Sequence, residues 1–304
     1  MRWVTYRSAD GADHPGLLDG DRVLGLRDPG SVFDLLTGEG LAAAAERARR
    51  DPREVVPADS VRLRAPVPAP PSVRDFMSFE AHVVNSANSE GPDPLWYEQP
   101  TFYFTNPAAI TGPDEEIEIS PGSTAFDYEL EICAVVGRAG SNLSPEQAEE
   151  HIAGYMLFCD WSARDLQGEE MKLGLGPAKG KDGVTSTGPA LVTPDELAEF
   201  RSGRGYDLAM TASVNGERHG GGSWADIHWS FPQMLAYASR GTTLRPGDLI
   251  ASGTVGTGCI LELSRLHGAD RYPWLEPGDV VTLQIEQLGA ITGRITSGPA
   301  PIPL

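Results

Sequence analysis

The sequence predicts an α+β protein that is mainly β, with a small N-terminal α/β domain ahead of a larger β-rich region. Short strand-like runs recur along the 304 residues, and 35 glycines with 25 prolines supply the turns that such strands need. The stretch APVPAPPS at 65–72 carries four prolines, which cannot lie inside a helix or a central strand. It therefore predicts the boundary between the two parts.

The N-terminal domain is predicted to span residues 1–65 and to be followed by a proline-rich linker at 66–72. Strands are expected at 2–6 and 22–26, with a turn region in DGADHPG at 10–16. The run LAAAAERARR at 41–50 predicts a helix, because alanine has the highest helix propensity.

The larger domain is predicted to span residues 73–304. Glycine, proline and aspartate separate its expected strands, which lie at 101–105, 117–119, 128–136, 155–158, 208–214, 249–251, 260–263 and 280–285. A helix is expected to begin after Ser144, because the Ser144 side chain can cap the first turn. The Gln147 side chain can bond in return to the Ser144 backbone N–H. A second helix is expected over 231–239.

Composition excludes several classes of partner and location. The chain has 43 acidic and 24 basic residues, a net charge of −19, whereas nucleic acids and anionic membranes bind basic surfaces. Neither is therefore an expected partner. Three widely spaced cysteines suit neither a disulfide framework nor a CxxC site. The sequence begins without an apolar signal-like segment and contains no run of about 18 apolar residues, so we expect a cytoplasmic location.

Four acidic residues lie in apolar surroundings, where a bare carboxylate is costly. Glu129 and Glu131 alternate with apolar residues in a predicted central strand, so their side chains share one face about 7 Å apart. Asp160 ends the apolar run GYMLFCD, and Asp75 lies within VRDFMSF. Convergence on one divalent cation would satisfy all four, although a solvated strand face also explains an isolated Glu-x-Glu pair. Oxygen ligands favour Mg²⁺ or Ca²⁺, allow Mn²⁺ and disfavour Zn²⁺.

Five segments resemble the fumarylacetoacetate hydrolase family over roughly residues 70–295. They are DFMSFEAH at 75–82, DYELE at 127–131, CDWSARDLQ at 159–167, GPAKGK at 176–181 and SGTVGTGCILELS at 252–264. The resemblance implies the family's mixed β-sandwich roll as the fold of the larger domain. It also implies a homodimer with one divalent ion, Mg²⁺ or else Ca²⁺ or Mn²⁺, in each subunit.

The resemblance assigns the metal ligands to the same four carboxylates. It implies that His82 activates water and that Glu262 is the carboxylate partner of this histidine. It also implies three donors to a developing oxyanion: Arg164, Gln167 and Lys181. It implies three substrate contacts: Thr254, Tyr103 and Thr185. Arg164 and Gln167 are also compatible with an ordinary helical-turn pair. The chain departs from longer family members at Met77, which stands in place of a tyrosine and leaves the particular diketo acid open.

The implied activity is hydrolysis of a carbon–carbon bond in a 2,4-diketo acid of the fumarylacetoacetate or acylpyruvate type. An isomerase, decarboxylase or hydratase/lyase that acts on a 2-oxo acid through a metal-bound enolate is the alternative on the same scaffold. A non-catalytic binding protein that kept the fold is a third hypothesis. The histidine–glutamate pair favours hydrolysis, because relatives without it more often catalyse the other reactions.

Overall fold

The computed structural model describes residues 1–27 and 30–303, and more of these residues lie in strands than in helices. The predicted mainly β, α+β class is confirmed. Residues 1–65 contribute strands β1 (Arg2–Arg7), β2 (Asp13–Asp19), β3 (Arg22–Gly25), β4 (Val55–Pro57) and β5 (Arg62–Arg64), and helices α1 (Val32–Thr37) and α2 (Leu41–Arg50).

The middle of the chain supplies the strands and helices that surround the predicted carboxylates. Its strands are β6 (Val73–Phe76), β7 (Phe102–Thr105), β8 (Ile110–Thr111), β9 (Asp114–Glu118), β10 (Phe126–Asp127), β11 (Leu130–Val136), β12 (Gly140–Ser141), β13 (Ile152–Asp160) and β14 (Ser162–Ala163). Its helices are α3 (Glu80–Ala87), α4 (Pro145–Glu149) and α5 (Arg164–Met171).

The last third of the chain completes both main sheets. Its strands are β15 (Thr185–Val192), β16 (Arg201–Ser202), β17 (Gly205–Tyr206), β18 (Ala209–Val214), β19 (Glu217–Ser223), β20 (Thr243–Leu244), β21 (Leu249–Ala251), β22 (Val280–Ile285) and β23 (Gly289–Thr296). Its helices are α6 (Phe231–Ala238) and α7 (Ile260–His267). Short 3₁₀ helices occupy Ala58–Ser60, Pro94–Tyr97, Pro194–Phe200 and Trp224–Asp226.

Two sheets organise the described part of the chain. Twelve strands form the larger sheet in the order β4-β3-β2-β1-β15-β13-β11-β21-β6-β7, with β5 paired to β1 and β8 to β15. Five strands form the smaller sheet in the order β19-β18-β22-β23-β9. Strand β11 lies between β13 and β21, and all seven of its residues are buried, as expected of a central strand that is apolar on both faces.

The larger sheet continues across the predicted domain boundary. Strand β1 pairs with β15 in the register Arg2 to Val192 and Trp3 to Leu191. The buried Trp3 also belongs to one apolar cluster with Phe158 of β13. The division into a domain of residues 1–65, a linker and a domain of residues 73–304 stays a prediction.

Most predicted elements overlap observed ones, but one is wrong and one is shorter than expected. The predicted strand at 260–263 is wrong, because these residues begin helix α7, whose first N–H groups, those of Ile260 and Leu261, donate to the Asp127 carboxylate. The turn predicted at 10–16 is shorter, because residues 13–16 belong to β2, where Pro15 lies opposite Thr5 of β1. The described residues contain no helix with the length and apolar character needed to cross a bilayer.

Candidate metal centre and active site

Strands β13, β11 and β6 of the larger sheet, the last two separated by β21, deliver four acidic side chains to one place. Asp75 lies in β6, Glu131 in β11 and Asp160 at the end of β13, while Glu129 immediately precedes β11. One carboxylate oxygen from each residue lies within 4.8 Å of the others. All four side chains are buried, so the convergence expected from their apolar surroundings is present.

The four carboxylates fit a divalent cation. Asp75 Oδ1 and Asp160 Oδ1 are buried oxygens that have no hydrogen-bond partner among the described residues. A buried acceptor without a partner is costly, and a bound cation would satisfy both oxygens. An all-oxygen donor set of this kind suits hard cations such as Mg²⁺, Ca²⁺ or Mn²⁺.

Two cationic side chains are held by the same acidic cluster. Lys181 Nζ lies 2.5 Å from Glu129 Oε2 and 2.5 Å from Asp160 Oδ2. Arg164 Nη2 lies 2.8 Å from Glu129 Oε1, and Arg164 Nε donates to Asp127 Oδ2 at 2.8 Å. The structure thus places two of the three predicted oxyanion donors, Lys181 and Arg164, on carboxylates, and a contact of either one with substrate stays a prediction.

Burial and mutual repulsion shift the acidic groups in different directions. Burial, followed by the neighbouring Asp160 carboxylate, raises the pKa of Asp75 well above its usual value. Burial and then Asp75 raise the pKa of Glu131 in the same way. Burial raises the pKa of Asp160 to about 6, although Lys181 opposes it. Glu129 is equally buried, but Lys181 and Arg164 outweigh burial and hold its pKa well below the usual value.

A histidine–glutamate pair lies beside the cluster on two contacting helices. His82 of α3 and the fully buried Glu262 of α7 are joined by an Nδ1–Oε1 distance of 2.7 Å. Glu262 Oε2 accepts hydrogen bonds from Asn85 Nδ2 and from the Thr257 backbone N–H, each at 2.8 Å. Because the glutamate occupies Nδ1, Nε2 is the imidazole nitrogen available for proton transfer.

A cavity of about 260 Å³ opens over these groups. The predicted site residues that line it are Asp75, His82, Tyr103, Glu129, Glu131, Gln167, Lys181 and Thr254. Its other lining residues are Phe76, Met77, Thr101, Phe102, Met171, Pro177 and Gly253. Asp160, Arg164 and Glu262 lie behind this lining and contact residues that form it.

The predicted substrate contacts differ in their access to the cavity. The Tyr103 hydroxyl donates to Asp75 Oδ2 at 3.1 Å and also to Asp160 Oδ2. The Thr254 hydroxyl lies 3.5 Å from Glu131 Oε1. Thr185 is buried, pairs with Asp160 through the β13–β15 ladder and does not line the cavity. A substrate contact through Thr185 therefore has no support from its position.

Sequence reasoning missed Asp127, which connects the two halves of the site. Its fully buried carboxylate binds the Arg164 guanidinium and accepts the first backbone N–H groups of α7, from Ile260 at 2.7 Å and Leu261 at 3.1 Å. Burial raises the pKa of Asp127, and Arg164 opposes the rise. The available signal was its place two residues before Glu129 in DYELE, a third acidic side chain in one apolar strand region.

Comparisons with known proteins show what the chain resembles over most of its length. The model for the fumarylacetoacetate (FAA) hydrolase C-terminal region matches residues 72–296. A 2,4-didehydro-3-deoxy-L-rhamnonate hydrolase of Sphingomonas sp. (strain SKA58) is 31% identical over 289 residues, covering 92% of this chain and 90% of that protein. The oxaloacetate tautomerase YisK of Bacillus subtilis (strain 168) is 30% identical over 237 residues, covering 77% of this chain and 73% of that protein.

A solved structure matches almost the entire chain. The fumarylacetoacetate hydrolase of the psychrophile Exiguobacterium antarcticum superposes with a TM-score of 0.76 at 27% identity, covering 98% of this chain and 100% of that one. The likeness therefore extends over the N-terminal strands as well as the sheet that carries the carboxylates.

Proposed function

The chain belongs to the fumarylacetoacetate hydrolase family, and on that premise we propose that it is a metal-dependent hydrolase that cleaves a carbon–carbon bond of a 2,4-diketo acid. The family includes hydrolases, tautomerases and isomerases. The observation that carries the choice of hydrolysis is the 2.7 Å contact between His82 and Glu262 at a cavity lined by the acidic cluster. A carboxylate that orients an imidazole and stabilises its protonated form makes the ring a suitable general base for water.

The proposed cofactor is one Mg²⁺ in each subunit, held by Asp75, Glu129, Glu131 and Asp160. Its support is the donor set itself, including the two buried oxygens that lack partners in the described structure. When bound, the ion acts as a Lewis acid toward the oxygens of the oxo acid. Ca²⁺ and Mn²⁺ suit the same ligands.

The histidine–glutamate pair is proposed to move the proton of the attacking water. Glu262 keeps the ring proton on Nδ1 and is itself fixed by Asn85 and the Thr257 N–H. His82 Nε2 then takes a proton from water, and the imidazolium that forms is stabilised by the buried glutamate. Attack of that water on the acyl carbonyl breaks the bond to the pyruvate carbon, which takes up a proton and leaves as pyruvate.

The remaining cavity side chains are proposed to bind substrate and oppose developing charge. Lys181 and Gln167 both line the cavity and carry N–H donors, each worth roughly 3–4 kcal/mol when aimed at an oxyanion. Arg164 acts through Glu129, which it contacts directly. Tyr103 and Thr254 line the cavity beside the ligands, where their hydroxyls can meet the head group of the substrate.

A tautomerase or isomerase is the second candidate, and the 30% identity to YisK, an oxaloacetate tautomerase, favours it. In that reaction the same imidazole would move a proton at carbon without delivering water to the acyl group. The two candidates predict different products from the same site.

Product analysis distinguishes them. With Mg²⁺ and acetylpyruvate, a hydrolase releases pyruvate and acetate in equal amounts, which coupled pyruvate detection and loss of diketo absorbance both follow. We expect His82→Gln to lower pyruvate release at least about 100-fold. His267→Gln changes an exposed histidine on α7 and serves as the matched control.

Parental pyruvate release by His82→Gln would reject the role of His82 as the base while leaving hydrolysis itself intact. A protein that interconverts the keto and enol forms of oxaloacetate while leaving acylpyruvates intact would reject hydrolysis. The homodimer and the cytoplasmic location are parts of the same proposal, and light scattering on the purified protein tests the first of them.

A further inference from the structure

The cavity differs in character between its base and its mouth, and this difference bears on the substrate. Resting on the proposed function, we infer that the acyl tail of the substrate, beyond its diketo-acid head, is uncharged and aliphatic. A dicarboxylate whose second carboxylate lies at the tail is thereby disfavoured.

No unengaged cation faces the cavity in the described part of the chain. Lys181 is the one lysine or arginine among the described lining residues, and its Nζ is already 2.5 Å from both Glu129 and Asp160. Arg164 lies behind the lining and divides its guanidinium between Asp127 and Glu129. A tail carboxylate would therefore find no ion-pair partner at the base.

The charge balance of the base also opposes a second carboxylate. Five carboxylates meet two cationic side chains there: Asp75, Asp127, Glu129, Glu131 and Asp160, with Lys181 and Arg164. A bound divalent cation still leaves one negative charge in excess, and the carboxylate of the substrate head adds another. The chain as a whole carries a net charge of −19, which adds a repulsive long-range field.

The mouth of the cavity offers neutral side chains to a tail. Met77, Met171, Pro177 and Thr101 are uncharged residues of the lining, and the two exposed ones, Thr101 and Met171 (53% exposed), mark the side that opens to solvent. Methionine side chains adapt their shape to aliphatic groups, whereas they offer a carboxylate no hydrogen bond.

The two lysines on the loop beside the mouth are also paired. Lys172 Nζ donates to Glu169 at 2.5 Å, and Lys179 Nζ donates to Asp182 at 2.8 Å. Neither residue lines the cavity. Both lysines are therefore engaged by carboxylates at the exposed surface of the loop.

An isosteric pair of substrates tests the inference. 4-Methylpentanoylpyruvate and succinylpyruvate differ only in that a terminal isopropyl group is replaced by a carboxylate of similar shape. We expect kcat/KM to favour the neutral compound by at least about tenfold at low ionic strength. Equal values, or a preference for succinylpyruvate, would overturn the inference while leaving carbon–carbon hydrolysis intact.

A charge placed at the mouth should change that preference. Met171→Arg is expected to raise the relative kcat/KM for succinylpyruvate about three- to fivefold, the usual strength of one partly exposed ion pair. Leu173→Arg places the same charge two residues away on a side chain that is 84% exposed and outside the lining. If both variants change the preference equally, general electrostatic attraction explains the effect and the assignment of the mouth is wrong.

Binding measurements keep the inference testable if neither compound is cleaved. 5-Methyl-2-oxohexanoate and 2-oxoglutarate form a matching neutral and charged pair that cannot undergo diketo cleavage. Calorimetric titration into the Mg²⁺-loaded protein should show tighter binding of the neutral acid. That result without turnover would sustain the tail assignment and reject hydrolysis, whereas tighter or equal binding of 2-oxoglutarate would reject the tail assignment.

Discussion

Asp127 shows how one side chain can set the geometry of two catalytic groups that lie far apart in the sequence. Its carboxylate receives Arg164, which holds Glu129, and it also receives the N-terminal N–H groups of α7, the helix that carries Glu262. A negative charge at that helix end is favoured by the exposed N–H groups and the helix dipole. The metal half and the histidine half of the site therefore share one buried anchor.

Replacing that anchor by its amide should weaken both halves. In Asp127→Asn the side-chain amide N–H faces groups that are themselves donors, namely the Arg164 guanidinium and the first N–H groups of α7. Glu129 is then the one carboxylate left to Arg164, and Arg164 competes with the cation for Glu129. We expect about tenfold weaker Mn²⁺ binding by paramagnetic titration, together with a loss of about 2 kcal/mol in unfolding free energy.

Asp165→Asn is the matched control for this change. Asp165 accepts hydrogen bonds from Ser123 and Thr124 outside the cavity. The Asp165→Asn protein should be less stable than the parent but should bind Mn²⁺ with unchanged affinity. Parental Mn²⁺ affinity in Asp127→Asn would contradict the anchoring role.

Protons should compete with the cation for the acidic cluster. Burial raises the pKa values of Asp75, Glu131 and Asp160, the last to about 6. A carboxylate whose folded-state pKa is raised binds more protons folded than unfolded. For Asp160, the contribution of this protonation to the free energy of unfolding is therefore complete below the unfolded pKa near 4. It is lost as the pH rises through the folded-state pKa of about 6.

Mg²⁺ should therefore stabilise the protein more at neutral than at acidic pH. Binding requires ionised ligands, so each proton released changes the apparent affinity up to about tenfold per pH unit. We expect the increase in Tm caused by Mg²⁺ to be clearly larger at pH 7.5 than at pH 5. Matched ionic strength with NaCl supplies the control, and equal Mg²⁺ effects at both pH values would contradict the proposed competition.

At the scale of whole elements, local chemistry predicted some helices and failed for others. The Ser144–Gln147 capping box was predictable because both partners lie within one turn of α4. Helix α7 was not, because the carboxylate that accepts its first N–H groups is Asp127, 133 residues earlier. The convergence of the four carboxylates could be predicted because each is an acidic side chain in an apolar run. Asp127 carries a similar local signal in DYELE, but nothing in the sequence indicates that its partner is the start of α7.

The close approach of the chain after β21 to the end of the neighbouring strand β6 depends on a glycine. Gly253 follows β21 with a φ of +76°, and a Cβ atom there would lie 2.3 Å from the Phe76 carbonyl oxygen. Its N–H donates to Glu131 Oε2 at 3.0 Å. The close approach therefore keeps together the end of β6 that carries Asp75 and the end of β11 that carries Glu131.

Gly253→Ala should separate those strand ends. A positive φ alone costs about 1–3 kcal/mol for alanine, and the steric overlap adds roughly 2 kcal/mol more. Gly268→Ala isolates the first cost, because Gly268 has a φ of +98° and no atom within 4 Å of the added Cβ. Urea unfolding should show a larger loss for Gly253→Ala, accompanied by loss of Mn²⁺ binding, and equal losses would show that the close approach is unimportant.

At the scale of the whole molecule, the continuous sheet makes the N-terminal strands part of the support for the site. The chain from β1 through β15 and β13 to β11 is hydrogen-bonded at every step. Trp3, Leu17 and Ala44 share an apolar cluster with Phe158 and Leu191. An independent N-terminal domain would instead keep its core and its strand ladder to itself.

This continuity predicts that the metal-bound protein unfolds in one calorimetric transition. Trp3 is fully buried in the shared cluster, so Trp3→Ala should cost about 3–5 kcal/mol and lower the temperature of that entire transition. Mg²⁺, bound on the far side of β15, should raise the same transition in both proteins, because strands on either side of the 65–72 stretch melt together. Two separate transitions, with Trp3→Ala moving one and Mg²⁺ the other, would establish instead that residues 1–65 fold as a unit of their own.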